Sequence, residues 1–218
     1  MVVCPQFPLG TVLFPSMVLP LHIFEPRYRV MVEHVLDGDG TFGVVLIERG
    51  SEVGGEDQRT NHGTLARVVD AQRLDDGRWH LITLGTERFR VDEWLPDDPY
   101  PVADVRMWPD EAVPANGSLE PAYSALLPKV RRYLALASEA GYNVGALLEQ
   151  LTTDRPSCMQ LAAMTPLTVL DKQALLGAPG PAERVPMLLH MVDDALGLLQ
   201  CRLGLTDDDV DDGWHDWS

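Results

Sequence analysis

Lysine is nearly absent from this chain. Lys129 and Lys172 are the only two among 218 residues, and neither stands in the Gly-x-x-x-x-Gly-Lys-Ser/Thr pattern that cradles nucleotide phosphates. The same two residues would have to supply the base of a Ser-Lys dyad, yet each lies in an amphipathic helical pattern that accounts for it. The sequence therefore contains no phosphate-binding loop and does not support proteolysis.

Cysteine is also scarce. Cys4, Cys158 and Cys201 have no Cys-x-x-Cys spacing, which favours reduced, mostly buried thiols over a disulfide or a metal site. The six histidines occur singly, and no Gly-x-Ser-x-Gly elbow is present. We therefore expect no metal, no cofactor and no enzymatic activity, although spacing alone does not test a triad assembled from distant residues.

Long hydrophobic runs are missing as well. The longest apolar stretches, such as residues 42–47, are far shorter than the ~20 residues of a membrane-spanning helix. The start has no basic segment, and Pro5, Pro8 and Pro15 interrupt any apolar one, so we expect no signal peptide. These observations predict a cytoplasmic protein that does not contact membranes.

Positive charge is outweighed by negative charge. Lys+Arg 17 against Asp+Glu 33 gives a net charge of −16. Residues 1–115 hold 10 Arg and 19 acids, a balance of −9, and the last twelve residues hold six Asp and no base. Because such a field repels phosphate backbones, we expect no nucleic-acid partner.

Strand patterns fill the first half of the chain. Apolar or alternating runs occur at residues 42–47, 63–74, 79–84, 88–94 and 102–108. The Asp76-Gly77 dipeptide predicts a hairpin with a type I′ turn. The runs together indicate a small, mostly antiparallel sheet or a partly closed barrel. The polar segment 48–62 is expected to be a flexible hairpin connection, with a recognition loop as the alternative.

Helical patterns follow a Pro/Gly/Asn-containing linker at residues 109–118. Helices are predicted at 119–140, 144–151, 157–164, 166–176, with Thr165 as its cap, and from 181 to 203, where Gly204 ends the last one. We therefore predict an α+β protein, with a β-rich subdomain over residues 1–115 and a helical bundle over residues 116–206. The acidic tail, residues 207–218, carries Trp214 and Trp217; we expect a disordered, solubilising segment, with docking on a partner as the alternative.

The most distinctive stretch is residues 5–31. Prolines at positions 8, 15 and 20 divide its apolar runs into two short strands and a bend, and Glu25-Pro26-Arg27 opens a helix. The runs FP at 7–8, VLFP at 12–15 and VLPLHIFEPRYR at 18–29 resemble the N-terminal substrate-binding domain of Lon-type ATP-dependent proteases. Residues 43–46, 52–55, 63–67, 85–91, 171–176 and 182–184 are also similar to that family, so the resemblance covers roughly residues 5–203.

The resemblance implies both a fold and a function. The expected fold is a PUA-like β pseudobarrel with one helix, followed by a C-terminal helical bundle. The expected function is binding of unfolded or extended polypeptides, or of another protein partner, without the ATPase and peptidase that lie downstream in the full proteases. A small-ligand or RNA-binding PUA-like module is the alternative, and the oligomeric state, monomer or weak homodimer, stays open.

An apolar groove near the start of the chain is the expected binding site. The candidate partner-binding residues are Phe14, Pro15, Phe24, Glu25, Arg27 and Tyr28. An exposed sheet edge that adds a peptide strand is a second way to bind such a partner. Ordinary core packing, with Glu25 and Arg27 in an ion pair, is the simpler interpretation of the same residues.

Overall fold

The computed structural model describes residues 2–49, 58–113, 118–144, 147 and 156–204. Within these residues it has six strands and five helices, which confirms the α+β class. They are β1 Val2–Leu9, β2 Val18–Ile23, α1 Pro26–Asp37, β3 Thr41–Arg49, β4 Gln58–Arg73, β5 Trp79–Leu95, β6 Val102–Met107, α2 Glu120–Glu139, α3 Cys158–Met164, α4 Val169–Gly177 and α5 Pro181–Leu203. The helix predicted at 144–151, the centre of the loop at 48–62 and the tail at 207–218 lie outside the described residues.

The chain divides into two compact units. The first comprises Met1–Asp110 and Thr168–Gly177, and the second comprises Glu111–Leu167 and Ala178–Ser218. Helix α4 thus belongs to the unit of the strands, whereas the sequence assigned every helix after residue 116 to one bundle. The reason is that side chains of β4 and β5 form hydrogen bonds with α4, and such long-range contacts are not encoded by the local sequence pattern. The domain boundary at residue 115 otherwise stays a prediction.

The six strands form one mixed sheet in the order β2-β5-β4-β3-β1-β6. β1 runs parallel to β3, and the other pairs are antiparallel. β5 is 17 residues long and pairs with β2 through residues 79–84 and with β6 through residues 89–95. Because β6 pairs with both β1 and β5, five strands close into a ring of pairings, and β2 extends from β5.

Two local predictions need correction. The hairpin between β4 and β5 exists, but Gly77 has a positive φ of 80° and Asp76 does not, so the turn is not type I′. The Gly77 N–H donates to Leu74 O and the Leu74 N–H donates to Arg78 O, which is a three-residue loop with glycine in the left-handed position. The second correction concerns α4, which begins at Val169 and has Thr168, not Thr165, bonded to its first turn.

Proline in β1 is accommodated by one-sided pairing. The register joins residues 2–5 to β6 and residues 6–9 to β3. Each half of the strand therefore has one partner strand in the described sheet, so the missing N–H of Pro5 or Pro8 interrupts no second ladder. A strand that contains two prolines can in this way lie between two neighbours.

Each unit has its own core. In the first unit α1 buries Tyr28, Met31, Val32 and Val35 against apolar side chains of the sheet, among them Phe7, Ile23, Phe42 and Leu81. In the second unit α2 packs mainly on α5, and both helices bury one apolar stripe. Pro26 stands at the first helical position of α1, as the sequence predicted, and Gly204 ends α5 with a φ of 70°.

Candidate functional site

A cleft of about 190 Å³ opens beside the start of α1. Its walls are residues 7–9 of β1, residues 20–22 of β2, and Phe24, Glu25 and Tyr28. Most of these side chains are apolar, so the cleft has the chemistry of a site for an apolar side chain with a few polar groups at its rim.

Ring contacts and an ion pair connect the side chains at the rim of the cleft. Tyr28 is buried and meets Phe7 edge to face, with ring centroids 4.4 Å apart. Arg27 stacks its guanidinium over Tyr28 at 4.6 Å, and its Nε donates to Glu25 Oε2 at 3.1 Å. Because Arg27 satisfies Glu25 locally, the cleft presents a neutralised pair rather than a free charge.

The outer surface of β2 and β5 continues the cleft. Backbone carbonyls of Met17 and Leu19 accept bonds from Gly85 N–H and the Thr83 hydroxyl, so the odd-numbered residues of β2 direct their backbone groups toward β5. Side chains of the even-numbered residues share one face with the even-numbered residues of β5. We call this surface the β2–β5 face; its exposed residues are Val18, Pro20, His22, Phe24, His80 and Ile82.

Apolar exposure on this face is substantial. Val18 is 60% exposed, Phe24 is 51% exposed and Ile82 is 39% exposed. Pro20 lies directly opposite Ile82 in the register, and the His22 ring contacts both Phe24 and His80. Such exposed apolar side chains, next to a cleft and on one face, are typical of an interaction surface.

The free edge of β2 is less suited to adding a peptide strand. Because the backbone groups of Val18, Pro20 and His22 face away from β5, proline lies at the centre of the open edge. Pro20 has no N–H to donate, so an added strand would lose a hydrogen bond in the middle of its ladder. The face, rather than the edge, is the stronger candidate.

The structure brings together some of the predicted site residues. Phe24, Glu25 and Tyr28 line the cleft, and Arg27 contacts two of them. Phe14 is 1% exposed, and Pro15 lies in the turn from Phe14 to Met17, whose N–H donates to Phe14 O. Neither Phe14 nor Pro15 lines the cleft, and their role in binding stays a prediction.

Of the six exposed residues of the β2–β5 face, the sequence predicted only Phe24 as a site residue. The exposure of Val18, His80 and Ile82 depends on which face of the sheet α1 covers, and no local pattern shows that. The available signal was the alternation in residues 79–84, which places His80 and Ile82 on one side and the buried Leu81 and Thr83 on the other.

Reactive groups elsewhere have structural surroundings. Cys4 and Cys158 are buried, as the sequence predicted for most of the cysteines, whereas Cys201 is exposed. Burial raises the pKa of Cys4 to about 12, so its thiol stays protonated and is a poor nucleophile. Lys129 is ion-paired with Asp193. Across the part of the chain that the structure describes, no three His, Cys, Asp or Glu side chains gather closely enough to bind a metal ion together.

A polar cluster fastens α4 to the strands. Arg88 is buried and donates to the Leu176 carbonyl at 2.6 Å, and it is ion-paired with Asp110. His62 and the buried Gln173 are bonded through their side-chain nitrogens at 2.9 Å. Burial, aided by the nearby charges of Arg88 and Arg90, lowers the pKa of His62 below 6.5. In one neutral tautomer His62 Nε2 accepts the Gln173 amide hydrogen, and in the other it donates to the Gln173 backbone carbonyl oxygen, 3.3 Å away.

Among the described helices, none combines the length and the apolar character that a bilayer crossing requires.

A mixed sheet with a closed ring of pairings, two helices in the same unit and an apolar cleft define an α+β domain with a candidate binding site. The sequence model of the ATP-dependent protease La (LON) substrate-binding domain matches residues 3–194. The chain therefore belongs to the Lon substrate-binding domain family.

Similar proteins agree with this assignment. Lon protease 2 of Myxococcus xanthus is 28% identical over 194 residues, which are 88% of this chain and 23% of that protein. The chain thus spans about a quarter of the length of the curated relatives that it matches. The crystal structure of a Lon N-terminal domain protein from Xanthomonas campestris has a TM-score of 0.64 and 26% identity, and it aligns over 87% of this chain and 98% of its own.

A second solved structure supports the fold alone. The N-terminal domain of a Mycobacterium avium complex Lon protease has a TM-score of 0.61 at 18% identity and aligns over 88% of this chain and 99% of its own.

Proposed function

We propose that this chain is a non-catalytic module that binds unfolded or extended polypeptides in the cytoplasm. The family match supports the polypeptide as ligand, because the matching family is a substrate-binding domain. The relatives are named as proteases, and the quarter of their length that is similar to this chain is this domain. In the same proposal the closed ring of strands is a PUA-like pseudobarrel, and the second unit is a helical bundle.

The observation that carries the proposal is the β2–β5 face beside the cleft. Three large apolar side chains, Val18, Phe24 and Ile82, are between 39% and 60% exposed on one surface. An unfolded polypeptide offers apolar side chains at alternate positions, which can cover such a face while one of them enters the cleft. Folded proteins bury most such side chains, so the face favours unfolded segments.

RNA and other phosphate-bearing ligands are less well supported. The exposed residues of the face are apolar or imidazole groups, and Arg27 at the cleft is already paired with Glu25. The net charge of −16 adds to this. Phosphate backbones need clustered cations, so the face fits a polypeptide better.

The test is a binding titration with matched variants. A fluorescently labelled, reduced and carboxymethylated protein serves as the permanently unfolded ligand, and anisotropy reports its binding to the full chain. Phe24→Asp and Ile82→Asp place a charge on the face and are expected to weaken binding at least about tenfold. Leu198→Asp, at a 74% exposed position of α5, is the matched control and should bind as the unaltered chain does.

Two outcomes would contradict the proposal. One is the absence of saturable binding by the unaltered chain. The other is equal weakening by the Leu198→Asp control, which would mean that general surface hydrophobicity, not this face, captures the ligand. Circular dichroism of each variant verifies that the fold is retained.

A further inference from the structure

We infer that His22 and His80 form a binding site for a divalent transition-metal ion on the β2–β5 face. The two residues are far apart in sequence, and the sequence predicted no metal site because each histidine occurs singly. The register of β2 on β5 changes that, since it places His22 directly opposite His80. The site lies on the face proposed to bind polypeptide, but the inference does not rest on that function, because strand pairing alone brings the two imidazoles together.

The type of strand pair favours chelation. Just before β2 the Gly85 N–H donates to Met17 O, and within β2 the Leu19 carbonyl points to β5, where it accepts from the Thr83 hydroxyl. By the alternation of antiparallel pairs, His22 and His80 therefore form a non-hydrogen-bonded pair. In such pairs the Cα atoms are about 4.5 Å apart, closer than in hydrogen-bonded pairs, and the side chains approach each other. Pro20, which has no N–H, occupies an equivalent position two residues earlier.

The ring geometry is compatible with one shared ion. The imidazole centroids are 4.8 Å apart, with an interplanar angle of 70°. Zinc accepts imidazole nitrogens at about 2.0–2.1 Å in tetrahedral geometry, which requires two such nitrogens about 3.3 Å apart. Rings with this centroid separation meet that requirement after small side-chain rotations. Both side chains are exposed, so an ion reaches them from solvent.

The chemistry of the ligands selects the metal class. Neutral imidazole suits Zn²⁺, Ni²⁺ and Cu²⁺, whereas Mg²⁺ and Ca²⁺ prefer oxygen ligands. Glu25, which lines the same cleft as His22, is paired with Arg27. Two imidazoles therefore supply the protein ligands, and water completes the coordination. A two-ligand site is open and exchangeable, and its affinity follows the order Cu²⁺ above Ni²⁺ and Zn²⁺.

The net charge of −16 adds to the attraction of cations. The excess of acidic residues also binds metal ions weakly at other places on the chain. The experiment must therefore distinguish binding at His22 and His80 from this weak binding elsewhere. His190, an exposed histidine of α5 that lies 3.5 Å from Asp194, is a matched control inside the described chain. His215 in the acidic tail is a second control.

The experiment titrates the full chain with Zn²⁺ at neutral pH by calorimetry and repeats the titration with Cu²⁺. We expect one saturable site in the unaltered chain. His22→Gln and His80→Gln should each abolish it, and His190→Gln and His215→Gln should preserve it. Binding that is equal in all four variants, or that disappears with His190→Gln or His215→Gln, would overturn the inference.

A second measurement needs no variant. Paramagnetic Cu²⁺, added in substoichiometric amounts, should selectively broaden the imidazole proton resonances of His22 and His80. Broadening confined to other histidines would contradict the site even if some metal bound.

Discussion

Ser16 adopts a backbone conformation that few side chains favour. Its φ is 65°, in the left-handed region, and it is the only described residue other than glycine with a positive φ. Pro15 precedes it, and the Met17 N–H donates to Phe14 O, so the four residues form a turn with proline second and a left-handed residue third. That third position favours glycine, which has no Cβ to strain.

Ser16→Gly is therefore expected to stabilise the protein by about 1 kcal/mol, the cost of the left-handed conformation for an ordinary residue. Urea denaturation followed by circular dichroism measures the change. Ser16→Ala, the control, retains the Cβ and should give no such gain. A loss of stability in Ser16→Gly would show that the serine side chain contributes more than the strain costs.

The backbone of Gly85 lies close to the backbone of the same turn, residues 14–17. A Cβ built on it would lie 2.3 Å from the Phe14 carbonyl oxygen, which cannot move without breaking the turn. Gly85→Ala is expected to destabilise the protein by about 3 kcal/mol. Gly197→Ala is the control, because nothing lies within 4 Å of a Cβ built at that position. The higher helix propensity of alanine should make this substitution slightly stabilising. Thermal denaturation of the two variants distinguishes a specific clash from a general effect of alanine.

At the scale of elements, α4 belongs to the unit that contains the strands, and side-chain hydrogen bonds from β4 and β5 hold it there. Arg88 reaches the carbonyl of Leu176 near the end of α4, and His62 binds Gln173 in its middle. Both interactions depend on polar groups that are buried or half-buried, so they are sensitive to protonation and to loss of a partner.

Acid should loosen this attachment. Burial lowers the pKa of His62 in the folded chain below its ordinary value of 6.5, so below about pH 6.5 the unfolded chain binds more protons at this residue. The contribution of the neutral His62 to the free energy of unfolding is thus complete above pH 6.5. It is lost as the pH falls through the pKa of His62 in the folded chain. Denaturant titrations between pH 7.5 and 5 should show a steeper loss of stability for the unaltered chain than for His62→Gln, which cannot titrate. Equal slopes would contradict this account.

How well each helix, strand or turn could be predicted depended on how specific its sequence pattern is. The helix start at Pro26 and the end at Gly204 carry residue-specific chemistry, and both were confirmed. The predicted type of the turn at Gly77 was wrong because an Asp-Gly dipeptide fits two kinds of hairpin loop. The contacts of α4 could not be predicted, since the periodicity of a helix shows an apolar face but not which unit covers it.

At the scale of the whole molecule, the family and the α+β class could be predicted because many short segments occur in the right order along nearly the whole chain. The candidate site was only partly predictable. Phe24, Glu25 and Tyr28 belong to one contiguous stretch, whereas His80 and Ile82 join them through strand pairing over some 60 residues. Register of that kind is decided by which residues of the two strands are buried together, not by either strand alone.

The central claim is that one face of the sheet holds an unfolded polypeptide. Hydroxyl-radical footprinting of the full chain, with and without a saturating unfolded protein, tests it most directly because it needs no substitution. Oxidation of Phe24 and Ile82 should fall severalfold in the complex, while the exposed Leu198 and Tyr142 of the second unit should be oxidised as before. Unchanged oxidation of Phe24 and Ile82 in a saturated complex would contradict the account.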